Sequence, residues 1–173
     1  MLLKIIGSIM IISASVFIGN IFSRDCARRP QELRILQGLL QIFENEISFL
    51  SSILTDAFEK VYKSSNCCVT GFFISTVKYL KSEKCLNAVH AWEMAVRENI
   101  KKTALNKEDE EILISFGVIL GSSDLEGQIK NIRLTLNQLK IQEDKAEDIR
   151  RKNEKMYSNL GLLGGLAVVI ILF

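Results

Sequence analysis

Few side chains in this 173-residue sequence could carry chemistry: four cysteines, one histidine and a short glycine and serine segment. Cys26, Cys67, Cys68 and Cys85 form no CxxC pair, and the adjacent Cys67 and Cys68 cannot easily supply two ligands to one tetrahedral zinc ion. The four could form two disulfides, but the topology argued below places them in the cytoplasm, where thiols stay reduced. We therefore expect buried free thiols and no metal site.

The other candidates for catalysis are equally weak. His90 is the only histidine, and its place beside Trp92 on an amphipathic segment indicates a core or boundary residue. The segment GVILGSS at 117–123 does not match GxxxxGK[ST] and lacks the lysine that reaches the phosphates, so ATP binding is not expected. Neither GxSxG nor HExxH occurs. We expect no enzymatic activity and no cofactor.

Charge is confined to the middle of the chain. There are 22 Lys plus Arg and 20 Asp plus Glu, for a formal net charge of +2, which is far from the basic excess of a nucleic-acid-binding protein. All acidic residues lie between Asp25 and Glu154, and every basic residue except Lys4 lies between Arg24 and Lys155. The sequence therefore predicts no nucleic-acid partner and two apolar end segments.

The N-terminal segment 2–22 carries Lys4 as its only charge. About 20 residues at 1.5 Å each span the hydrocarbon core of a bilayer. A cleaved signal peptide is the alternative, but it needs a following stretch free of positive charge. Arg24, Arg28 and Arg29 follow here and favour retention of that flank in the cytoplasm. We interpret the segment as an uncleaved transmembrane anchor.

The C-terminal segment 156–173 is uncharged and long enough for a second transmembrane anchor. The basic side chains of Arg150, Arg151, Lys152 and Lys155 precede it and indicate a second cytoplasmic flank. Residues 24–155 are therefore predicted to form one cytoplasmic domain between two membrane helices.

Small residues recur four apart in both predicted anchors. Ser15 and Gly19 do so in the first, and Gly161 and Gly165 in the second. Such pairs let membrane helices approach closely, although glycine is also common in membrane helices without any packing role. The sequence leaves both interpretations open.

The domain begins with an amphipathic segment. Pro30 suits a first helical turn, and the apolar positions that follow are spaced by three and four, which predicts one helix of about 22 residues. The apolar stripe comprises Leu33, Leu36, Leu40, Phe43, Ile47, Leu50 and Leu54. The opposite, solvated or partner-facing side carries Glu32, Arg34, Gln41, Glu44 and Asn45.

Further helices are predicted near 55–63, over 72–80 and over 86–96 from their apolar faces. Asn106 is expected to cap a fifth helix, and Glu108, Asp109, Glu110 and Glu111 either complement its dipole or form a docking patch. That helix is predicted to stop at Gly121, and Ser123 with Glu126 to form the capping box of a sixth. The predicted fold class is all-α, a bundle of about six helices between transmembrane helices.

Four segments together resemble the stage III sporulation protein AB family of endospore-forming bacteria. They are RRPQELRILQGLLQIFENEISF, HAWEMAV, ISFGVILGSSDLEGQIKNI and KNEKMYSNLGLLGGLAVVIIL. Their order and spacing match as well, so the resemblance covers nearly the whole chain. The Cys67–Cys68 pair and the phenylalanine-rich third helix depart from the pattern.

The resemblance implies a structural part of the channel complex that joins the mother cell to the engulfed forespore. It places the protein in the mother-cell (outer forespore) membrane, with its soluble domain in the mother-cell cytoplasm. The domain is similar to that of the platform protein of type II secretion and type IV pilus systems. The implied partners are membrane lipid, the cytoplasmic ATPase stage III sporulation protein AA and other channel-complex membrane proteins. The alternative is a membrane-anchored signalling or sensor-adaptor protein that self-associates through a coiled coil.

Overall fold

The structure is a computed structural model that describes residues 27–48, 54–65, 67–82, 87–118, 120 and 124–172. Within these ranges the regular structure is helical and contains no strand, which confirms the all-α prediction. The helices are α1 (27–48), α2 (Leu54–Lys63), α3 (Thr70–Leu80), α4 (Ala88–Asn99), α5 (Lys107–Val118) and α6 (Leu125–Leu172), with a 3-10 turn at Ile100–Lys102.

These residues fall into two compact units. One unit is Arg29–Asp144, and the other holds the remaining described residues, chiefly α6 from Lys145 onward. The predicted boundaries of the cytoplasmic domain, 24 and 155, stay predictions.

The apolar stripe of α1 is buried as expected. Leu33, Leu36, Leu40, Phe43 and Ile47 are all buried, because their spacing of three and four keeps them on one helix face. The stripe does not continue through a single helix, however, since its last predicted member is the first residue of α2. The prediction was wrong there because the spacing of apolar residues does not by itself mark where one helix ends and the next begins.

Five aromatic rings from five helices form the centre of the larger unit. Phe43, Phe58, Phe73, Trp92 and Phe116 come from α1 to α5 in that order, and all are buried. Ring centroids lie 4.6 Å apart between Phe43 and Phe58 and 5.2 Å apart between Trp92 and Phe116. Aromatic pairs in such geometries contribute about 0.5–1.5 kcal/mol beyond their burial. The cluster therefore fixes the relative positions of α1 to α5.

Trp92 also joins α4 to α5 through its polar atom. Its Nε1 donates a hydrogen bond to the backbone oxygen of Leu113 at 2.6 Å, which satisfies the buried indole N–H. The ring lies so close to α5 that a Cβ at Gly117 would stand 2.4 Å from Cδ1 of Trp92. Only glycine fits this contact between the two helices.

Side-chain caps define the starts of three helices. Asn87 caps α4 by accepting from the backbone N–H of His90 at 2.9 Å. Asn106 caps α5, as predicted, by accepting from the N–H of Asp109 at 3.0 Å. The predicted capping box at Ser123 is displaced by one residue, because α6 begins at Leu125 and the side chain of Asp124 accepts from the N–H of Gly127 at 3.0 Å.

Helix α6 continues without interruption to Leu172 and includes Gly161 and Gly165. Among the residues that the structure describes, no helix combines the length and the apolarity that crossing a bilayer requires. The transmembrane prediction for 156–173 stays a prediction, and the predicted anchor 2–22 lies outside the described residues.

Candidate functional site

The acidic first turn of α5 is tied into the bundle by one of its carboxylates. Asp109 is fully buried, and its Oδ2 accepts from the backbone N–H of Asn106 at 2.9 Å, which completes a reciprocal cap. Arg29 on α1 donates to both carboxylate oxygens at 2.9 Å. Such a two-point contact holds the guanidinium in one orientation. Asp109 is therefore a packing and capping residue, and the docking-patch interpretation is wrong for its side chain.

The same network extends to α6. Nη2 of Arg29 donates to Oε1 of Gln142 at 3.1 Å, and Nε2 of Gln142 donates to Oε2 of Glu108 at 2.9 Å. Gln142 is buried, whereas Glu108 is exposed. Three helices are thus linked at this end of the larger unit. The other two acidic residues of the turn, Glu110 and Glu111, are half-buried and exposed, and a docking role for them stays a prediction.

Glu32 was predicted on the solvated side of α1 but lies buried, with 6% of its surface exposed. Its Oε2 accepts from the backbone N–H of Ala104 at 2.6 Å, so it satisfies a loop amide after α4. The thiol of Cys68, an exposed residue, is partly desolvated and lies near the carboxylate of Glu32, and both effects raise its pKa. Glu32 therefore holds the loop against α1, and the prediction of a solvent-facing side chain is wrong for it.

Arg34, also predicted on the polar side of α1, binds a buried carboxylate on α6. Glu143 is 4% exposed and accepts from Arg34 Nε at 2.9 Å, from Gln37 Nε2 at 3.0 Å and from Lys140 Nζ at 3.1 Å. Burial tends to raise the pKa of Glu143, but these donors outweigh it, and the pKa lies below its usual value. Glu143 is consequently ionised at neutral pH, and it ties α1 to α6.

The remaining side chains on the polar side of α1 either form an ion pair with α6 or are exposed. Glu44 accepts from Arg133 on α6 at 2.6 Å, whereas Gln41 and Asn45 are exposed. The polar side thus serves two purposes. Its Arg34 and Glu44 bind α6, and its Gln41 and Asn45 remain accessible for a partner.

The thiols and the histidine differ from expectation. Cys67 is half-buried and Cys68 exposed, because both lie in the turn between α2 and α3 rather than under a helix. His90 is exposed too, since the buried face of α4 runs through Ala91, Trp92, Ala95 and Val96. Over the described ranges no group of three His, Cys, Asp or Glu is arranged to hold a metal ion.

Several predicted residues cannot be placed or are placed without detail. Ser15 and Gly19, with Cys26 and Cys85, lie outside the described residues. Gly161 and Gly165 belong to α6, and their proposed role in helix packing stays a prediction.

Sequence reasoning missed the residues on the far side of each link. None of Arg29, Arg133, Gln142 and Glu143 was predicted to bind another helix, because their partners lie 80 to 113 residues away in the chain. The one available signal was a polar residue interrupting an apolar stripe. Glu143 falls four residues after Leu139, where the repeat of α6 predicts an apolar side chain.

Comparisons with known proteins agree over nearly the whole chain. Residues 4–173 match the family model for stage III sporulation protein AB. Stage III sporulation protein AB of Bacillus subtilis (strain 168) is 32% identical over 171 residues, which is 99% of each chain. A solved structure of a stage III sporulation protein AB is 30% identical and superposes with a TM-score of 0.67, covering 72% of this chain and 98% of that one. This protein therefore belongs to the stage III sporulation protein AB family.

Proposed function

We propose that this protein is a non-enzymatic platform of the sporulation channel complex between mother cell and forespore, and that it docks a cytoplasmic ATPase to the membrane apparatus. Its membership of a family named for a stage of sporulation carries the proposal. The partner implied by the resemblance is the ATPase stage III sporulation protein AA. The other implied partners are membrane proteins of the channel complex, to which the platform would pass the force generated by the ATPase.

A platform must transmit force without deforming, and the contacts of the larger unit suit that task. Its aromatic centre is fully buried, and α1 is tied to α6 through Glu143 and through the pair of Glu44 and Arg133. Packed helices move as rigid units rather than bending continuously. A push on the outer side of α1 would therefore reach α6 with little loss.

Attachment to the mother-cell membrane is the second part of the proposal. Large apolar side chains of α6 are exposed in its C-terminal part, from 47% at Met156 to 69% at Ile170. Exposed apolar surface of this kind marks a membrane or protein interface. The basic residues Arg151, Lys152 and Lys155 stand just before it, which favours a cytoplasmic, lipid-facing junction.

The accessible residues of α1 give the sharpest test of ATPase docking. Because Arg34 and Glu44 bind α6, reversing their charges would destabilise the fold as well as any interface. Gln41→Lys with Asn45→Lys avoids this problem, since both side chains are exposed and exposed substitutions change stability by about 0.5 kcal/mol or less. New charges that become desolvated at an interface cost far more. We expect an unchanged thermal midpoint, weaker co-purification of the ATPase with the full-length chain, and fewer spores.

A matched control is available on α6. Asn137→Lys with Gln138→Lys changes the same two residue types at exposed positions and should leave ATPase recovery as in the unmodified chain. Normal ATPase recovery and normal sporulation in the α1 variant would show that this side of α1 does not dock the ATPase. Recovery of a kinase or receptor in place of an ATPase would favour the sensor-adaptor alternative.

A further inference from the structure

The C-terminal part of α6 carries a cavity of about 580 Å³ that none of the contacts described above uses. Its lining includes Arg151, Glu154, Lys155 and Asn159. Their spacing of three, one and four residues places them on one side of the helix, and all four are exposed. The cavity therefore opens to the surroundings of the helix.

The lining offers mainly hydrogen-bond donors and carries a net positive charge. Arg151, Lys155 and Asn159 bear N–H groups, while Glu154 supplies the one carboxylate. Arg151 has a neighbouring acid, but Nε of Arg151 stands 3.5 Å from Oε1 of Glu147, beyond a normal hydrogen bond. Lys155 makes no ion pair with any residue in the described part of the chain. These donors suit an anionic oxygen group such as a phosphate.

Apolar surface follows the cavity along the same helix. Leu163 is 64% exposed and Ile170 is 69% exposed, and at four and eleven residues after Asn159 they continue its side of the helix. A soluble phosphate would contact only the polar part of this surface. A ligand that matches both parts has a phosphate at one end and hydrocarbon at the other, which is the chemistry of a phospholipid.

We propose that Arg151, Lys155 and Asn159 bind the headgroup phosphate of an anionic phospholipid, with its acyl chains along Leu163 and Ile170. This inference rests on the membrane attachment proposed above. Glu154 limits the charge of the site to one net positive, and its carboxylate suits a headgroup hydroxyl such as that of phosphatidylglycerol.

Native mass spectrometry of the full-length chain in detergent tests the site directly. The chain is offered equal amounts of short-chain phosphatidylglycerol and phosphatidylcholine, and bound lipids are counted. We expect a preference for phosphatidylglycerol that falls roughly fivefold per basic residue removed, in line with the strength of such contacts at anionic membranes. The test variant is Arg151→Gln with Lys155→Gln. The control, Lys78→Gln with Lys101→Gln, removes the same charge from exposed positions on α3 and the 3-10 turn and should keep the preference.

Three results would overturn the inference. The first is equal binding of the two lipids by the unmodified chain, and the second is a loss of lipid preference in the control variant as large as that in the test variant. The third is displacement of lipid by inorganic phosphate at constant ionic strength, which would indicate a site for soluble anions. Flotation with phosphatidylcholine vesicles separates this inference from the proposal on which it rests. A chain that floats but shows no lipid preference keeps its membrane attachment and loses the headgroup site, whereas a chain that does not float with any vesicle loses both.

Discussion

The contact between Trp92 and Gly117 allows the packing of the bundle to be tested with one methyl group. In Gly117→Ala, the new Cβ would stand 2.4 Å from Cδ1 of Trp92, whereas carbon atoms in favourable contact are about 3.5–4.0 Å apart. Either the indole or helix α5 must therefore move by about 1 Å or more. The indole has little room, because Phe58 and Phe73 lie against it with ring centroids at 5.6 Å and 5.5 Å.

The expected cost follows from three effects. Overpacking a well-packed core costs about 1–3 kcal/mol. A shift of the indole would also break its 2.6 Å hydrogen bond to Leu113, and a buried donor left without an acceptor costs about 1–3 kcal/mol. Alanine regains about 1 kcal/mol over glycine inside a helix. We therefore expect Gly117→Ala to lower the free energy of unfolding by about 1–5 kcal/mol.

Trp92 is the only tryptophan, so its fluorescence reports on this contact during chemical or thermal unfolding. Gly38→Ala is the matched control, because Gly38 lies within α1 and its added Cβ would meet no atom within 4 Å apart from those of its chain neighbours and the adjoining helix backbone. The control should raise the free energy of unfolding by about 0.5–1 kcal/mol. Equal stability of Gly117→Ala and the unmodified chain, with the same emission maximum, would refute the close packing of α4 on α5.

Two further predictions concern buried carboxylates. Asp109→Asn should lower the free energy of unfolding by about 2–4 kcal/mol, because Arg29 would lose its counter-charge inside the bundle. The control Glu111→Gln, at an exposed position, should lower the free energy of unfolding by less than about 0.5 kcal/mol. The thermal midpoints of the two variants test this difference. The folded-state pKa of Glu143 is depressed, so its contribution to stability should be complete above the pKa of an unfolded glutamate, about 4.3, and be lost as the pH falls through the folded-state value. Unfolding curves between pH 3 and 7, compared with those of Glu143→Gln, should show a shallower acid limb in the variant, and parallel limbs would contradict this.

The core and the caps of the bundle were largely predictable from the sequence. Apolar spacing is a local property of a helix, and it correctly identified the buried side chains of Leu33, Phe43 and Trp92. Capping is local too, since Asn106 and the amide it accepts from are three residues apart. The start of α6 was misplaced by one residue because Ser123 and Asp124 are both good capping residues, and their side chains alone do not decide between them.

The polar side of α1 was harder to interpret, because a helical wheel shows which residues are polar but not what faces them. Glu32, Arg34 and Glu44 share that side with Gln41, yet a loop amide and two α6 side chains bind the first three. The two α6 partners follow from how α6 packs against α1, and the loop amide follows from how the loop after the 3-10 turn packs against α1; both are tertiary contacts between distant segments. A charged residue near a buried stripe therefore has two possible roles, as a link between helices or as a docking surface. On this helix Arg34 and Glu44 act as links to α6, and the proposed docking role is therefore tested on the exposed amides of Gln41 and Asn45.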